Sequence, residues 1–178
     1  MKSICVFCGS SMGNNPDFKN TAVQIGKYFA DNDIMLVYGG GNVGLMGVLS
    51  HSVMNNAGKV TGVIPNFMME KEWGDESVTT LHKVGSMHER KKLMSDIADG
   101  FIAIPGGIGT LDELFEIFTW KQLNLHSKPI GLLNTNGYYN SMIEFLDNIV
   151  ANGFMKQEIL DYLIIKDNIE DLIDSLFN

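Results

Sequence analysis

Short, uninterrupted apolar runs alternate along the chain with longer segments in which apolar residues recur every three or four positions. Short apolar runs bounded by turn residues are typical of buried strands, and the longer pattern is typical of amphipathic helices. The predicted strands span residues 3–7, 34–38, 60–64, 78–84, 101–104 and 130–133. The predicted helices span residues 16–30, 44–55, 86–98 and 110–125, and the chain from Tyr138 onward is predicted to be mostly helical.

This order of elements predicts an α/β fold. The predicted strands are apolar throughout rather than at every second position, which is typical of parallel strands covered by helices on both faces. We therefore expect a three-layer α/β/α architecture with a mainly parallel sheet. The length of 178 residues suits one domain, and no repeat or linker divides it, so we expect residues 1–178 to form a single domain.

Three predicted strands end in glycine-rich segments. They are Gly9-Ser10-Ser11, Gly39-Gly40-Gly41 and Pro105-Gly106-Gly107-Ile108-Gly109-Thr110. Ligands of open α/β sheets bind beyond the carboxyl ends of the strands. One such glycine run could serve only a tight turn, but three predict a crevice in which the main chain approaches a phosphate.

The second glycine run formally matches the dinucleotide-binding pattern G-x-G-x-x-G, from Gly39 to Gly44. That site also requires an acidic residue about 20 positions later to bind the ribose. Residues 34–69 contain neither Asp nor Glu, which disfavours an NAD site. The sequence also contains no G-K-[ST] segment, so a P-loop is not expected.

The third glycine run gives the strongest signal for anion binding. A helix predicted to begin at Thr110 would direct free N–H groups and the positive end of its dipole towards a ligand. Alternatively, Thr110-Leu111-Asp112-Glu113 is a capping box, in which Glu113 only accepts a hydrogen bond from a backbone N–H.

A second capping pattern, formed by Ser86 and Glu89, precedes three cations, Arg90, Lys91 and Lys92. Cations in the first turns of a helix oppose its dipole, and such local conflicts tend to mark functional sites. Arg90 and Lys91 are therefore candidates to hold a phosphate or a ribose hydroxyl. The alternative is a solvated basic face.

Charge and composition narrow the classes of function. A formal charge of −8 argues against a nucleic-acid partner. No apolar run is long enough to span a bilayer, and the N-terminus lacks signal-peptide features, so we expect no membrane association and a cytoplasmic location. In a strand, Cys5 and Cys8 point to opposite faces about 10 Å apart, too far for a disulfide. The four histidines have no metal-ligand spacing with these cysteines, so we predict no metal.

Taken together, the motifs resemble the Lonely Guy (LOG) family of cytokinin-activating phosphoribohydrolases, often labelled "lysine decarboxylase-like". The resemblance covers about residues 4–154. It is carried by the stretches Val37-Tyr38-Gly39-Gly40-Gly41, Gly44-Leu45-Met46-Gly47, Gly62-Val63-Ile64-Pro65, Met87-His88-Glu89-Arg90-Lys91, Pro105-Gly106-Gly107-Ile108-Gly109-Thr110-Leu111-Asp112-Glu113, Trp120-Lys121-Gln122-Leu123 and Gly137-Tyr138-Tyr139. The sequence departs from the family at Asp112, where Glu is common, and at Asn124, where Gly is common.

The resemblance implies a Rossmann-like nucleotide-binding fold, a homodimer and catalytic roles for Arg90 and Glu113, with no cofactor. It also implies hydrolysis of the N-glycosidic bond of a nucleoside 5′-monophosphate, AMP or a cytokinin riboside monophosphate, to free base and ribose 5-phosphate. The expected substrate contacts are Ser11, Gly40, Met87, Lys91, Gly106, Gly107, Gly109 and Thr110.

Three alternatives remain at this point. The chain could be a nucleotide-binding protein without catalysis, in which Glu113 only caps a helix. A pyridoxal phosphate decarboxylase is disfavoured, because His82-Lys83 lies on a predicted strand without a companion signature. Residues 66–77, which include Met68, Met69 and Trp73, form either a substrate lid or a loop packed on the surface.

Overall fold

Strands and helices alternate through the part of the chain that the computed structural model describes, residues 1–69 and 74–177. The strands are β1 (Lys2–Phe7), β2 (Ile34–Tyr38), β3 (Val60–Pro65), β4 (Thr80–Val84), β5 (Gly100–Ala103), β6 (Ile130–Leu133) and β7 (Leu163–Lys166). The helices are α1 (Pro16–Asp31), α2 (Gly44–Asn55), α3 (Met87–Ile97), α4 (Ile108–Gln122), α5 (Asn140–Ala151), α6 (Gln157–Leu160) and α7 (Ile169–Phe177). Two 3₁₀ turns cover Asn66–Met68 and Thr135–Gly137.

The strands form one parallel sheet in the order β4-β3-β2-β1-β5-β6-β7. The chain moves outward from β1 to β4 and then returns to β5 on the other side of β1. This reversal opens a crevice beyond the carboxyl ends of β1 and β5, the usual ligand position in a Rossmann-like sheet. Gly9 and Pro105 meet there, and the Gly9 N–H donates to the Pro105 carbonyl at 3.2 Å. The predicted α/β fold with a parallel sheet is confirmed.

Hydrophobic cores cover both faces of the sheet. Residues of α1, α2 and α7 pack on one face, and residues of α3 to α6 pack on the other. Cys8 belongs to the first core and Cys5 to the second, as predicted for two residues three positions apart along a strand. Both are free thiols, and burial raises the pKa of each.

The prediction of a mostly helical chain from Tyr138 onward is confirmed by α5, α6 and α7, but it missed the strand β7. Leu163–Lys166 is a short apolar run, which periodicity alone does not distinguish from a helical segment. Pairing with β6, in which Ile130 lies opposite Leu163, determines its conformation.

Within the described residues, no helix combines the length and the apolar character needed to cross a bilayer.

Candidate active site

Two adjoining cavities lie at the crevice between β1 and β5. The first, here the carboxylate cavity, has a volume of about 190 Å³ and is lined by Met87, Arg90, Gly109 and Glu113 among others. The second, here the tyrosine cavity, has a volume of about 250 Å³ and is lined by residues that include Ser11, Phe18, Gly106 and Tyr138. Gly9, Ser10 and Gly107 line both cavities. Together they reach the size range of small-molecule sites, about 300–1,000 Å³.

The segment after β5 forms the wall shared by the two cavities. Helix α4 begins at Ile108 with Gly107 as its N-cap, so the prediction that Thr110 begins the helix is wrong. Because Gly107 already adopts the extended conformation of an N-cap, Thr110 lies inside the first turn and cannot cap the helix. The capping-box interpretation of Thr110 and Glu113 fails for the same reason.

The glycines of this segment serve two different purposes. A Cβ atom at Gly107 or Gly109 would meet nothing within 4 Å, so these positions leave room for a ligand beside the main chain. A Cβ atom at Gly106 would instead overlap the Thr110 hydroxyl. Gly106 is therefore required by packing, whereas Gly107 and Gly109 keep the entrance to α4 open.

Thr110 adds a polar group to the same place. Its side chain is only 3% exposed, and its Oγ1 atom has no hydrogen-bond partner among the described residues. Buried hydroxyls are normally paired, so this one is a candidate to bind a ligand. The first N–H groups of α4 also lack acceptors within the helix and lie at its positive end. Hydroxyl, amides and dipole together suit an anion.

Arg90 lies in the first turn of α3 but points inward. It is 5% exposed, so the alternative of a solvated basic face is wrong for this residue. Its Nε donates to the Val63 carbonyl at 3.2 Å, and its Nη2 donates to the Gly39 carbonyl at 3.0 Å. A Cβ atom at Gly39 would overlap the guanidinium. The carboxyl ends of β2 and β3 thus fix the orientation of Arg90.

The remaining guanidinium nitrogen faces α4. Nη1 of Arg90 lies 4.0 Å from Oε1 of Glu113, and the Glu113 side chain is 13% exposed. Both residues line the carboxylate cavity, and both make further interactions in the structure. The two predicted catalytic residues are therefore brought together beside the open start of α4.

Lys91 lies outside the lining of both cavities. Its Nζ is 2.8 Å from Oδ2 of Asp112 and 3.3 Å from Oε2 of Glu116, so it links α3 to α4. Burial alone lowers the pKa of Lys91, but the hydrogen bond to Asp112 and the charge of Glu116 more than offset this and raise it. The contact that the structure gives Lys91 is thus with two carboxylates.

The capping box predicted before α3 is confirmed in its Ser86 half, whereas Glu89 binds the N–H of Gly85 rather than that of Ser86. Ser86 is the N-cap of the helix, and its hydroxyl accepts a hydrogen bond from the Glu89 N–H at 3.1 Å. The Glu89 carboxylate reaches back to the Gly85 N–H at 2.7 Å. These bonds fix the start of α3 and therefore the position from which Arg90 enters the core.

The other expected substrate contacts are divided between the two cavities. Ser11 lines the tyrosine cavity, and Met87 lines the carboxylate cavity. Gly40 is absent from the described lining of both. It has a φ of +78°, packs against Ile64, and its carbonyl accepts a hydrogen bond from the Asp75 N–H at 3.0 Å.

Sequence reasoning missed Asp75, a buried residue that contacts the turn next to Arg90. It is 3% exposed, its carboxylate accepts hydrogen bonds from Ser50 and Ser77, and His51 Nε2 lies 3.3 Å away. Because Asp75 also holds Gly40, it stabilises the turn whose Gly39 carbonyl binds Arg90. An acidic residue within a polar loop gave no sequence signal of burial.

The lid prediction for residues 66–77 is tested only at its ends. Residues 70–73, including Trp73, lie outside the described part of the chain. The flanking residues are anchored, since Gly74 forms an isolated bridge with Gly41 and its N–H donates to the Met69 carbonyl at 3.0 Å.

The pair His82-Lys83 lies on the edge strand β4, away from the cavity linings. Lys83 Nζ is 2.8 Å from Oε1 of Glu76, and both side chains are substantially exposed.

Across residues 1–69 and 74–177, no three His, Cys, Asp or Glu side chains are grouped so that they could hold a metal ion.

Comparison with known proteins connects this geometry to a family. A family model described as "Possible lysine decarboxylase" matches residues 46–176. Cytokinin riboside 5′-monophosphate phosphoribohydrolase LOG1 of Arabidopsis thaliana is 45% identical over 175 residues, which cover 98% of this chain and 82% of that protein. LOG7 of the same plant, named for the same activity, is 46% identical over 98% of this chain and 81% of its own length.

Solved structures share the fold at lower identity. The X-ray structure of TM1055 aligns with a TM-score of 0.74 at 20% identity and covers 98% of both chains. The molybdenum cofactor binding protein of Rippkaea orientalis aligns with a TM-score of 0.72 at 22% identity, covering 100% of this chain and 99% of that one. These likenesses show the fold alone. The match to the family model over residues 46–176 and the matches to the LOG proteins over nearly the whole chain show that this protein belongs to the Lonely Guy family.

Proposed function

We propose that this protein hydrolyses the N-glycosidic bond of a nucleoside 5′-monophosphate, AMP or a cytokinin riboside monophosphate, to free base and ribose 5-phosphate. The observation that carries the proposal is the meeting of Glu113, Arg90 and the open start of α4 in one cavity. The names of the relatives LOG1 and LOG7 support the same substrate class.

The phosphate binds at the first turn of α4. The amides of Gly107, Gly109 and Thr110 donate to its oxygens. The Thr110 hydroxyl, which has no hydrogen-bond partner among the described residues, donates to the phosphate as well. The space beside Gly107 and Gly109 admits the anion to the main chain. This anchor places the ribose within reach of Glu113, which lies three residues after Thr110 on the same helix.

The chemical step transfers a water molecule across the C1′–N bond. Positive charge develops on the ribose as that bond breaks, as in sugar hydrolysis generally. Glu113 orients the water and accepts its proton while the oxygen adds to C1′. The departing base takes the electron pair of the broken bond and a proton from solvent, and Glu113 returns its proton to solvent, so the products are the free base and ribose 5-phosphate.

Arg90 positions Glu113 and anchors the substrate. Two of its nitrogens are held by the Gly39 and Val63 carbonyls, and Nη1, which lies 3.8 Å from the Met87 sulfur, is thereby kept 4.0 Å from the Glu113 carboxylate. A guanidinium held in this way loses little conformational entropy when substrate binds, because its fork is already ordered. The carboxylate is thereby kept in one orientation towards the sugar.

Incubation with AMP and with N6-isopentenyl-AMP, followed by chromatography, tests the proposal. We expect free base and ribose 5-phosphate to appear in equal amounts from at least one of them. Binding of both nucleotides without release of base would overturn the hydrolase and favour the alternative of a non-catalytic nucleotide-binding protein.

We also propose a homodimer that forms through the outer face of α4. This face carries Ile108, which is 81% exposed, and a shallow apolar groove lined by Leu111, Phe115 and Trp120. Contiguous exposed apolar surface tends to mark an interface, and a twofold dimer would bury the same patch on both copies. Light scattering should give twice the mass of the chain, and the mass of a single chain at micromolar concentration would contradict this.

A further inference from the structure

The segment Gly137-Tyr138-Tyr139, which follows β6, contacts the main chain of the segment before α4. The Tyr138 hydroxyl donates to the Gly106 carbonyl at 2.7 Å, and the Tyr139 hydroxyl donates to the Ile104 carbonyl at 2.8 Å. Between them, the Pro105 carbonyl accepts from the Gly9 N–H at 3.2 Å. Three consecutive carbonyl groups before α4 are therefore held by donors from outside that segment.

Holding a carbonyl group also fixes the amide on the other side of the same peptide unit. The Gly106–Gly107 peptide is trans and planar, so the Gly107 N–H points opposite to the Gly106 carbonyl. Since that carbonyl faces the Tyr138 hydroxyl, the Gly107 N–H faces away from it. A hydrogen bond to the carbonyl also polarises the peptide and strengthens its N–H as a donor.

We propose that Tyr138 is a positioning residue for phosphate binding, which acts by orienting and polarising the Gly106–Gly107 peptide. The inference rests on the proposed function, because it concerns the anion site at the start of α4. Gly107 needs such an orienting contact, since glycine has wide conformational freedom and the space beside it is open. Tyr138 touches the main chain of the site, so its effect on the reaction passes through Gly107.

The structure holds Tyr138 in place for this role. Its ring packs edge-on against Phe18, with centroids 5.3 Å apart, and against Tyr139, with centroids 4.8 Å apart. The preceding loop is tied to α1 by Asn136, whose Nδ2 donates to Asp17 at 2.6 Å. The hydroxyl is therefore presented to Gly106 by a braced loop, although the residue itself is 46% exposed.

Tyr139 differs from Tyr138 in what it supports. It is 3% exposed, and burial raises the pKa of its hydroxyl. Its bond to Ile104 lies behind the segment, two residues before the Gly106 carbonyl. Tyr139 thus stabilises the end of the strand, whereas Tyr138 lies at the cavity wall and orients the peptide nearest the ligand.

Tyr138→Phe tests the inference, because it removes the hydroxyl and keeps the ring contacts. We expect KM for AMP and the inhibition constant of ribose 5-phosphate to rise about threefold to tenfold, the usual worth of one hydrogen bond. We expect kcat to stay within about twofold, since the phosphate contacts are the same in ground and transition states. Tyr28→Phe, a partly buried tyrosine on α1, is the matched control and should change neither constant.

The outcomes separate this inference from the proposed function. An unchanged KM and inhibition constant in Tyr138→Phe, or a loss confined to kcat, would overturn the role of Tyr138 while leaving the hydrolase intact. If the wild-type protein binds AMP without cleaving it, the hydrolase fails. This inference is then tested by the dissociation constant of AMP, which should rise about threefold to tenfold in Tyr138→Phe. If the wild-type protein binds neither AMP nor N6-isopentenyl-AMP, both fail.

Discussion

Nη1 of Arg90 lies 4.0 Å from Oε1 of Glu113, although the two residues are on different helices and enter the cavity from different sides. Arg90 reaches this point from the first turn of α3 by way of the carbonyls of Gly39 and Val63. Glu113 reaches it from the second turn of α4, the helix that begins after Gly107. The pair therefore brings residues from the carboxyl ends of β2 and β3 next to the helix that follows β5.

Gly109→Ala should separate stability from binding. Gly109 lies in the first turn of α4 and has open space around it, so alanine should raise the free energy of unfolding by about 0.5–1 kcal/mol. The new methyl group would occupy part of the anion site, so the dissociation constant of AMP should rise about tenfold or more. Denaturant unfolding and calorimetry measure the two effects.

Gly106→Ala is the control for that substitution. Its methyl group would overlap the Thr110 hydroxyl, so both stability and AMP binding should fall. A Gly109→Ala protein that binds AMP as tightly as wild type would show that the phosphate lies elsewhere.

Arg90→Lys should reduce both stability and turnover. A lysine cannot donate to the Gly39 and Val63 carbonyls in the fork geometry of a guanidinium. An unpaired buried acceptor costs about 1–3 kcal/mol, and loss of the contact with Glu113 should lower kcat about a hundredfold. Lys92→Met is the control, because Lys92 is exposed and pairs only with the exposed Asp96 among the described residues. Wild-type kcat in Arg90→Lys would remove the guanidinium from the mechanism.

AMP and adenosine should differ strongly as substrates. The anion site that we propose at the start of α4 would hold the sugar beside Glu113 through the phosphate, and adenosine has no phosphate. We expect kcat/KM for AMP to exceed that for adenosine by at least about a thousandfold, since charge-assisted hydrogen bonds contribute about 1.5–3 kcal/mol each. Similar values of kcat/KM for the two compounds would contradict the phosphate site.

His126 should make the protein less stable at mildly acidic pH. Its Nε2 lies 2.9 Å from the Ile117 carbonyl, and its Nδ1 accepts a hydrogen bond from the Lys128 N–H, an arrangement that requires the neutral ring. Burial lowers the pKa of His126 below its usual 6.5, and the charges of Lys121 and Lys128 act in the same direction. The unfolded chain therefore binds the proton first, and stability falls as pH decreases below about 6.5.

Denaturant unfolding between pH 5 and pH 7.5 measures this effect. The free energy of unfolding should rise with pH more steeply in the wild-type protein than in His126→Gln, which cannot titrate. Parallel curves for the two proteins would show that His126 does not contribute to the pH dependence.

Local chemistry made the fold class and the open start of α4 predictable. The alternation of apolar runs with helical patterns predicted the parallel sheet, and the glycines after β5 predicted an open helix start. Motif resemblance supplied Arg90 and Glu113 as a pair, but local patterns left each with an ordinary structural alternative. Those alternatives were excluded only by tertiary facts, namely the burial of Arg90 and the start of α4 at Ile108.

The features that escaped prediction depend on contacts distant in sequence. β7 is a strand because β6 pairs with it, and buried Asp75 is held by hydrogen bonds with the Ser50 hydroxyl and the Gly40 carbonyl. The hydrogen bond from Tyr138 to Gly106 spans 32 residues. Lys91 looked like a phosphate ligand in sequence, and only the packing of α3 on α4 revealed Asp112 and Glu116 as its partners.

The most direct test of the mechanism is Glu113→Gln assayed for both binding of AMP and release of adenine. The amide keeps the size of the side chain but cannot accept a proton from water, and a positioned base contributes about 10²–10⁴-fold. We predict that the variant binds AMP with nearly the wild-type dissociation constant and releases adenine at least a hundredfold more slowly. Undiminished release of adenine by Glu113→Gln would contradict the role of this carboxylate.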